Sequence, residues 1–253
     1  EAAVERILEA VARGSVAKVV LARAQTVLTA EAMDPAQVAL RLWRQNPGSH
    51  VFLFEPGPAG ALVGAAPETV ATVQGGRFRA TAVAGSRAVG ATPEERRALG
   101  EALLSSAKDL REHRLCVKDM VARLTPLARQ LRADAEPHLL SLAAIQHLES
   151  VVEAELLPGG TVLEALEALH PTPAVCGYPR ERALALLEEE EPFLRGWYAG
   201  QVGWFDGEGN GVFAPALRSA LALGREWLLF AGAGIVEGSH PAREWEETGI
   251  KLR

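Results

Sequence analysis

Residues 69–83, TVATVQGGRFRATAV, are the stretch that decides the fold class. Two runs rich in β-branched and alternating residues, 69–74 and 77–83, flank Gly75-Gly76, which is a strong hairpin signal. A hairpin joins antiparallel strands directly, whereas parallel strands need a longer crossover connection. The stretch therefore predicts an antiparallel sheet.

The rest of the chain repeats this arrangement of paired strands and blocks of helix. Further strands are predicted over 18–28, 51–54, 197–205, 212–223 and 227–231. Helices are predicted over 2–13, 34–45, 92–124 with a break near 105–106, 161–169, 181–190 and 241–252. Residues 139–156 fit either a helix or a strand, and 232–234, Gly-Ala-Gly, indicate a tight turn. The pattern favours a largely antiparallel α+β fold, with no linker or repeat dividing the chain.

The composition fits a globular protein and excludes several classes. With 48% hydrophobic and 23% charged residues over 253 positions, the chain is too apolar to be disordered and long enough to bury a core. A formal charge of −6 argues against nucleic acid as the main partner, because phosphate binding needs a concentrated positive face. No signal peptide or membrane-spanning run is visible, and Cys116 and Cys176 match no metal-ligand spacing. We therefore expect a cytoplasmic protein without membrane or nucleic-acid partners.

Two pairs of carboxylates stand three residues apart on predicted helices. Asp109 and Glu112 form the first pair, and Glu244 and Glu247 form the second. Residues at this spacing share a helix face, so two such helices facing each other would make an all-oxygen site suited to Mg²⁺. Two solvated helix faces would show the same spacing, and the spacing alone does not decide between them.

Single residues in apolar or tightly turning segments are candidates for acid–base chemistry. Lys18, inside a β-branched strand, is either a base with a lowered pKa or an edge-strand lysine that points to water. Glu68 is either a general acid or an ordinary turn residue. Arg218, if buried, needs a partner such as a carboxylate ligand, while His113 and His147 taken alone fit packed histidines.

A family resemblance rests on segments spread in order along the chain. These are residues 17–23, 64–68, 84–87, 108–113, 146–148, 170–174, 232–236 and 244–252. Together they resemble the chorismate-binding enzymes, which comprise isochorismate, salicylate, anthranilate and aminodeoxychorismate synthases. The resemblance implies large antiparallel sheets packed as a sandwich with helices outside. It also implies that residues 1–253 are one catalytic domain, with most of an N-terminal segment of the family absent.

The resemblance further implies a site for chorismate and Mg²⁺. Glu112 and Glu247 would be the metal ligands, with Asp109 and Glu244 behind them. The residues implied to hold or line the substrate are Tyr198, Arg218, Gly232, Gly234, Lys251, Gly85, Ser86, His147 and Ala174.

The nucleophile separates the branches of the family that the chain resembles. Lys18 stands where ammonia-using anthranilate synthases carry Gln, which favours water attack at C2 of the chorismate ring. Glu68 would then protonate the departing C4 hydroxyl. Ala84 stands where covalent aminodeoxychorismate synthases carry Lys, which speaks against that activity. Ala174 stands where salicylate synthases tend to carry Thr, which favours release of isochorismate.

The resulting expectation is an Mg²⁺-dependent isochorismate synthase, an isomerase, serving menaquinone synthesis in preference to a siderophore. The alternatives are a salicylate synthase, which would also release pyruvate, and a non-catalytic chorismate-binding subunit. We expect no amidotransferase partner, because the Lys18 branch does not use ammonia. We also expect the protein to be a monomer or a homodimer.

Overall fold

The computed structural model describes residues 1–57, 60–142 and 144–252. The helices are α1 (Ala2–Ala12), α2 (Pro35–Gln45), α3 (Pro93–Leu104), α4 (Ala107–Leu124), α5 (Val162–Leu169), α6 (Arg180–Glu190) and α7 (Pro241–Lys251). The strands are β1 (Lys18–Leu28), β2 (His50–Gly57), β3 (Gly60–Ala66), β4 (Ala71–Gln74), β5 (Arg77–Ala88), β6 (Ala128–Ala133), β7 (His138–Ser141), β8 (Ile145–Leu156), β9 (Gly177–Tyr178), β10 (Gln201–Phe205), β11 (Gly211–Pro215), β12 (Ser219–Leu223) and β13 (Glu226–Val236).

The strands form two sheets whose recorded pairings are all antiparallel. The first sheet has the order β2-β3-β12-β13-β1-β9, and the second has the order β10-β11-β4-β5-β8-β6 with β7 also on β8. The glycine hairpin joins β4 to β5, with Gln74 opposite Arg77. In the first sheet, β1 runs along the whole of β13, from Lys18 opposite Val236 to Leu28 opposite Glu226. The predicted antiparallel α+β class is confirmed.

Local capping explains where the helices begin. The Asp34 side chain accepts a hydrogen bond from the Ala36 backbone N–H at the start of α2. Thr92 and Glu95 form a capping box at the start of α3. The predicted break in the next helical region is also present, since α3 ends at Leu104 and Ser106 caps α4.

The helices cover the outer faces of both sheets. α4 and α5 pack on the second sheet, where Phe78, Met120, Leu124 and Val152 share one buried cluster. α1 and α6 pack on the end of the first sheet around Ile235. These layers bury the apolar helix faces that the sequence periodicity predicts. Among the described residues, no helix is long and apolar enough to span a membrane.

The prediction of one strand over 212–223 is wrong. The segment contains two strands, β11 in the second sheet and β12 in the first. Arg218 lies between them with a φ of 49°, so the chain turns sharply there and changes sheets. Residues 212–217 and 220–223 are all apolar, so an almost continuous apolar run passes through the turn and suggests a single strand. The turn places Arg218 between the two sheets.

The prediction of a glycine turn at 232–234 is also wrong, because these residues lie inside β13. Gly232 pairs with Ala22 and Gly234 pairs with Val20. A Cβ added at Gly232 would lie 3.2 Å from the Tyr198 hydroxyl, and one at Gly234 would collide with the Glu112 carboxylate. The glycines therefore make room for side chains that pack over the strand.

Smaller differences concern strand limits. Of the ambiguous segment 139–156, residues 139–141 belong to β7 and 145–156 to β8, while residue 143 lies outside the described part of the chain. β6 lacks a clear sequence pattern and was not predicted. The strand predicted over 197–205 begins only at Gln201, because residues 197–200 form turns, with the Tyr198 N–H bonded to the Arg195 carbonyl.

Candidate active site

A pocket lies where the two sheets meet, and it gathers most of the residues singled out in the sequence. Its walls come from β1 and β13 of the first sheet, β5 and β8 of the second, α4, α7 and the segments before and between strands. The predicted residues that line it are Lys18, Glu68, Gly85, Ser86, Glu112, His147, Ala174, Tyr198, Arg218, Gly232, Gly234, Glu247 and Lys251. Asp109 and Glu244 are buried but do not line it.

Lys18 lies at the start of β1 with only 1% of its surface exposed. β1 has β13 on one side and β9 on the other here, so the edge-strand alternative is wrong. Its Nζ lies 2.9 Å from Glu112 Oε1 and 3.4 Å from Cys116 Sγ. Burial acts to lower the pKa of Lys18, but Cys116 and Glu112 outweigh burial and raise it. The prediction that Lys18 has a lowered pKa is therefore also wrong while Lys18 is paired with Glu112.

Glu68 follows β3 and is 5% exposed, with its carboxyl directed to the same pocket. Burial raises the pKa of Glu68 to about 7, although Lys18, Arg218 and Lys251 partly offset burial. No hydrogen bond to this carboxyl is recorded within the described residues. A buried carboxyl that keeps its proton near neutral pH is suited to general acid chemistry.

His147, on β8, connects two other pocket residues. Its Nδ1 lies 2.9 Å from Ser86 Oγ, and its Nε2 lies 3.0 Å from an Arg218 guanidinium nitrogen. Burial, with Arg218 and Lys251 nearby, holds the pKa of His147 well below its usual value. Because Arg218 can only donate, Nε2 accepts and Nδ1 carries the ring proton to Ser86. The Ser86 O–H is thus free to donate to a ligand.

Tyr198 and Lys251 close another side of the pocket. The Tyr198 ring stacks on Phe230 with centroids 4.9 Å apart, and burial raises the pKa of its hydroxyl to about 12. Lys251 Nζ donates to the Gly232 carbonyl at 2.9 Å and to Glu247 Oε1 at 2.6 Å. Lys251 and Arg218 together make this side positive, which suits a carboxylate ligand.

The acidic residues are paired with lysines in this structure. The pairs are Glu112 with Lys18 at 2.9 Å, Glu244 with Lys108 at 2.5 Å and Glu247 with Lys251 at 2.6 Å. Burial opposes the charge on Lys108, but Glu244, Glu112 and Asp109 together raise its pKa. Lys108 is therefore ion-paired with Glu244 and is also stabilised in its charged form by two carboxylates of its own helix.

The donor set suits a divalent cation, although it is not assembled as a cage. In the described part of the chain, no three acidic, histidine or cysteine side chains are close enough together to hold a metal as they stand. Glu112 and Glu247 line the pocket, and all four candidate ligands offer carboxylate oxygens, which Mg²⁺ prefers. The residues therefore fit Mg²⁺, provided that the lysines move off the carboxylates.

Replacing Gly234 by Ala tests how tightly this corner is packed. The added Cβ would collide with Glu112 Oε1 and lie 3.0 Å from Lys18 Cε, so the ion pair must shift. We expect Gly234→Ala to lower the free energy of unfolding by about 1–3 kcal/mol, as overpacking does. Denaturant titration measures this, and Gly207→Ala is the control because a Cβ there meets nothing within 4 Å. An unchanged unfolding midpoint in Gly234→Ala would refute the tight packing.

The pocket residues lie within a match to a known family. The model of the chorismate binding enzyme family matches residues 1–253. The chain belongs to the chorismate-binding enzyme family. The sandwich of antiparallel sheets with outer helices is thus the fold of a chorismate-binding enzyme.

Individual relatives in this family are close in sequence and structure. The salicylate biosynthesis isochorismate synthase of Pseudomonas aeruginosa is 43% identical over 252 residues, which are 100% of this chain and 52% of that protein. The structure of DhbC from Bacillus anthracis has a TM-score of 0.96 at 34% identity, covering 99% of this chain and 68% of that one. The structure of MenF, the menaquinone-specific isochorismate synthase of Escherichia coli, has a TM-score of 0.90 at 33% identity. The match covers 98% of this chain and 57% of that one. The chain thus spans about half to two thirds of these relatives.

Several residues in or beside the candidate active site were not predicted from the sequence. Lys108 and Cys116 stand four residues before and after Glu112 on α4, so they share its helix face. That spacing was available as a signal for both. The apolar lining from Val20, Val175 and Phe230 carries no chemical signature and emerges only from the fold.

Proposed function

We propose that this chain is the catalytic region of an Mg²⁺-dependent isochorismate synthase. It would convert chorismate to isochorismate by water addition at C2 with loss of the C4 hydroxyl. One observation carries the proposal: a buried lysine and a buried carboxyl whose pKa is raised to about 7 share one pocket. Water attack needs a base and hydroxyl departure needs an acid, and the two groups supply these roles.

Glu68 is the proposed acid. Near neutral pH its carboxyl retains a proton, because burial disfavours the carboxylate. It donates this proton to the C4 oxygen as the C–O bond breaks, so the group leaves as water. The resulting Glu68 carboxylate is stabilised by the nearby charges of Lys18, Arg218 and Lys251.

Lys18 is the proposed base, and its state depends on Glu112. While the two are paired, the amine holds its proton. When Glu112 turns to another cation, an attraction that raises the pKa of Lys18 is lost and burial favours the neutral amine. Lys18 then accepts the proton of the water that bonds to C2. The proton gained by Lys18 balances the proton lost by Glu68, so the net reaction is an isomerisation.

Substrate binding is assigned to the remaining pocket residues. Arg218 and Lys251 would face the pyruvyl carboxylate, with the Tyr198 hydroxyl and the Ser86 O–H as further hydrogen-bond partners. Mg²⁺ held by Glu112 and Glu247, with Asp109 and Glu244 behind them, would neutralise the ring carboxylate and polarise the ring.

Glu247→Gln tests the metal assignment. Removing one carboxylate from the ligand set should raise the Mg²⁺ concentration needed for half-maximal activity by about tenfold or more. The measurement is an Mg²⁺ titration of isochorismate formation, supported by calorimetric Mg²⁺ binding. Glu246→Gln is the matched control, because Glu246 is the neighbouring residue of α7 and is exposed. An identical titration for Glu247→Gln and the wild type would refute the assignment.

The pathway belongs to the proposal as well. Similar proteins carry names that point to menaquinone or to salicylate biosynthesis. We propose menaquinone synthesis, and a chorismate assay with the products separated tests the enzyme itself. Release of pyruvate with salicylate would favour a salicylate synthase, and chorismate binding without turnover would favour a non-catalytic subunit. A cytoplasmic location, a monomer or homodimer and the lack of an amidotransferase partner stay predictions.

A further inference from the structure

The outer edge of β1 is completed by side chains where its neighbouring strand ends. β9 pairs with β1 only at Lys18 and Val19. Beyond that point, the Val20 N–H donates to the Cys176 carbonyl at 2.7 Å. The Val20 carbonyl then accepts from Arg195 Nη2 at 2.6 Å, and the Ala22 N–H donates to Glu191 Oε1 at 2.8 Å. Arg195 and Glu191 thus take the place of a strand next to the residues that follow Lys18.

The two side chains are bound to each other and buried. Arg195 donates to both oxygens of Glu191, at 2.7 Å through Nε and 2.5 Å through Nη2. The Glu191 side chain is only 4% exposed and that of Arg195 is 19% exposed. Removing one partner of such a pair leaves an uncompensated buried charge, so the pair acts as a unit.

Arg195 also joins further walls of the candidate active site. Its Nη1 donates to the Val175 carbonyl at 2.7 Å, and its guanidinium carbon lies 5.8 Å from the centre of the Tyr198 ring. Val20, Val175 and Tyr198 all line the pocket, whereas Arg195 and Glu191 are not among its described lining residues. One guanidinium therefore joins two segments of the pocket wall, at Val20 and Val175, to its own segment, which carries Tyr198.

We propose that Arg195 and Glu191 are positioning residues that set the Tyr198 wall of the substrate pocket. The inference rests on the proposed function, since it assigns the pair an effect on chorismate binding. Within the described part of the chain, the polar partners of these two side chains are each other and the backbone at Val20, Ala22 and Val175, and do not include the base, the acid or the candidate metal ligands. Their loss should therefore weaken substrate binding more than it slows the chemical step.

The first test is kinetic. In Arg195→Met, KM for chorismate should rise about tenfold while kcat changes by less than about threefold. The reason is that the Tyr198 wall moves and binds the substrate less well, whereas the base and the acid keep their places. Arg195→Lys, which keeps the charge but lacks the fork that reaches both carbonyls, should show an intermediate rise and serves if Arg195→Met does not fold. Arg97→Met is the control, because Arg97 and Glu101 form an exposed pair with the same spacing. An unchanged KM in both Arg195 variants would overturn the proposal.

A double mutant separates positioning from general destabilisation. If Arg195 acts through Tyr198, then Tyr198→Phe should raise KM in the wild-type background and add little in the Arg195→Met background. Fully additive effects would overturn the proposal.

Hydrogen exchange supplies a measurement that needs no turnover. The Ala22 amide should exchange at least about tenfold faster in Arg195→Met and Arg195→Lys than in the wild type, since its acceptor Glu191 loses its anchor. Arg97→Met should leave this amide unchanged. If the wild type consumes no chorismate, the proposed function fails. The exchange rates would still test whether Arg195 and Glu191 hold the edge of β1 in place. Unchanged exchange at Ala22 in the Arg195 variants would overturn the positioning role.

Discussion

Replacing Lys18 by Gln is expected to reduce isochorismate formation by about 10³-fold, within the usual range for losing an acid–base group. The Gln amide cannot accept the proton that attacking water must lose. His147 is a poor substitute, because its Nε2 lone pair is occupied by Arg218. The measurement is product-resolved turnover with saturating chorismate and Mg²⁺.

The design of this experiment must separate chemistry from folding. Lys18 is buried against Glu112, so thermal unfolding and chorismate binding of Lys18→Gln are measured together with the rate. Lys118→Gln makes the same chemical change at an exposed position on α4 and should behave as the wild type. Undiminished isochorismate formation in a folded Lys18→Gln would refute Lys18 as the base.

Replacing Glu68 by Gln is expected to lower kcat by about 10²–10³-fold, because the C4 hydroxyl would leave without a proton. The pH dependence gives a second signature. An acid must be protonated to act, so kcat/KM of the wild type should fall as the pH rises through about 7, where Glu68 ionises. That limb should be missing from Glu68→Gln and present in Glu55→Gln, whose side chain is exposed. A rate that keeps both its size and its pH limb in Glu68→Gln would contradict the assignment.

The same substitution should change stability in a pH-dependent direction. Folding raises the pKa of Glu68 from 4.5 to about 7, so the folded state binds this proton more tightly than the unfolded state. The stability gained from it is complete below about pH 4.5 and is lost as the pH rises to about 7. At about pH 8, Glu68→Gln should be more stable than the wild type by up to about 3 kcal/mol, an advantage that disappears in acid. Equal stability curves at both pH values would show that burial does not hold the proton.

Local signals made much of the fold predictable. β1 begins and ends at Lys18 and Leu28 as its β-branched pattern predicts, and α2 begins after Asp34 because a cap and an N1 proline act on adjacent residues. The Gly75-Gly76 hairpin is equally local. Such elements depend on neighbours in sequence, which is why they can be predicted without a structure.

Other features depend on contacts between distant residues. The split at Arg218 follows from the choice between two sheets, and the extended Gly232–Gly234 segment follows from pairing with β1 more than 200 residues earlier in the chain. The state of Lys18 depends on Glu112 and Cys116, which arrive from α4. The sequence itself singles out the two acidic pairs, Lys18, Glu68 and Arg218 as candidates. Spacing alone leaves solvated helix faces as an alternative, so the roles of these residues and the rest of the predicted site rest on the family resemblance.

The most direct test of the proposed activity is turnover of chorismate with Mg²⁺ in water enriched in ¹⁸O. We predict that chorismate is consumed only when Mg²⁺ is present, and that the product is isochorismate carrying one heavy oxygen, at C2. Salicylate with pyruvate as the main products, isochorismate without label at C2, or no consumption of chorismate would contradict the proposed function.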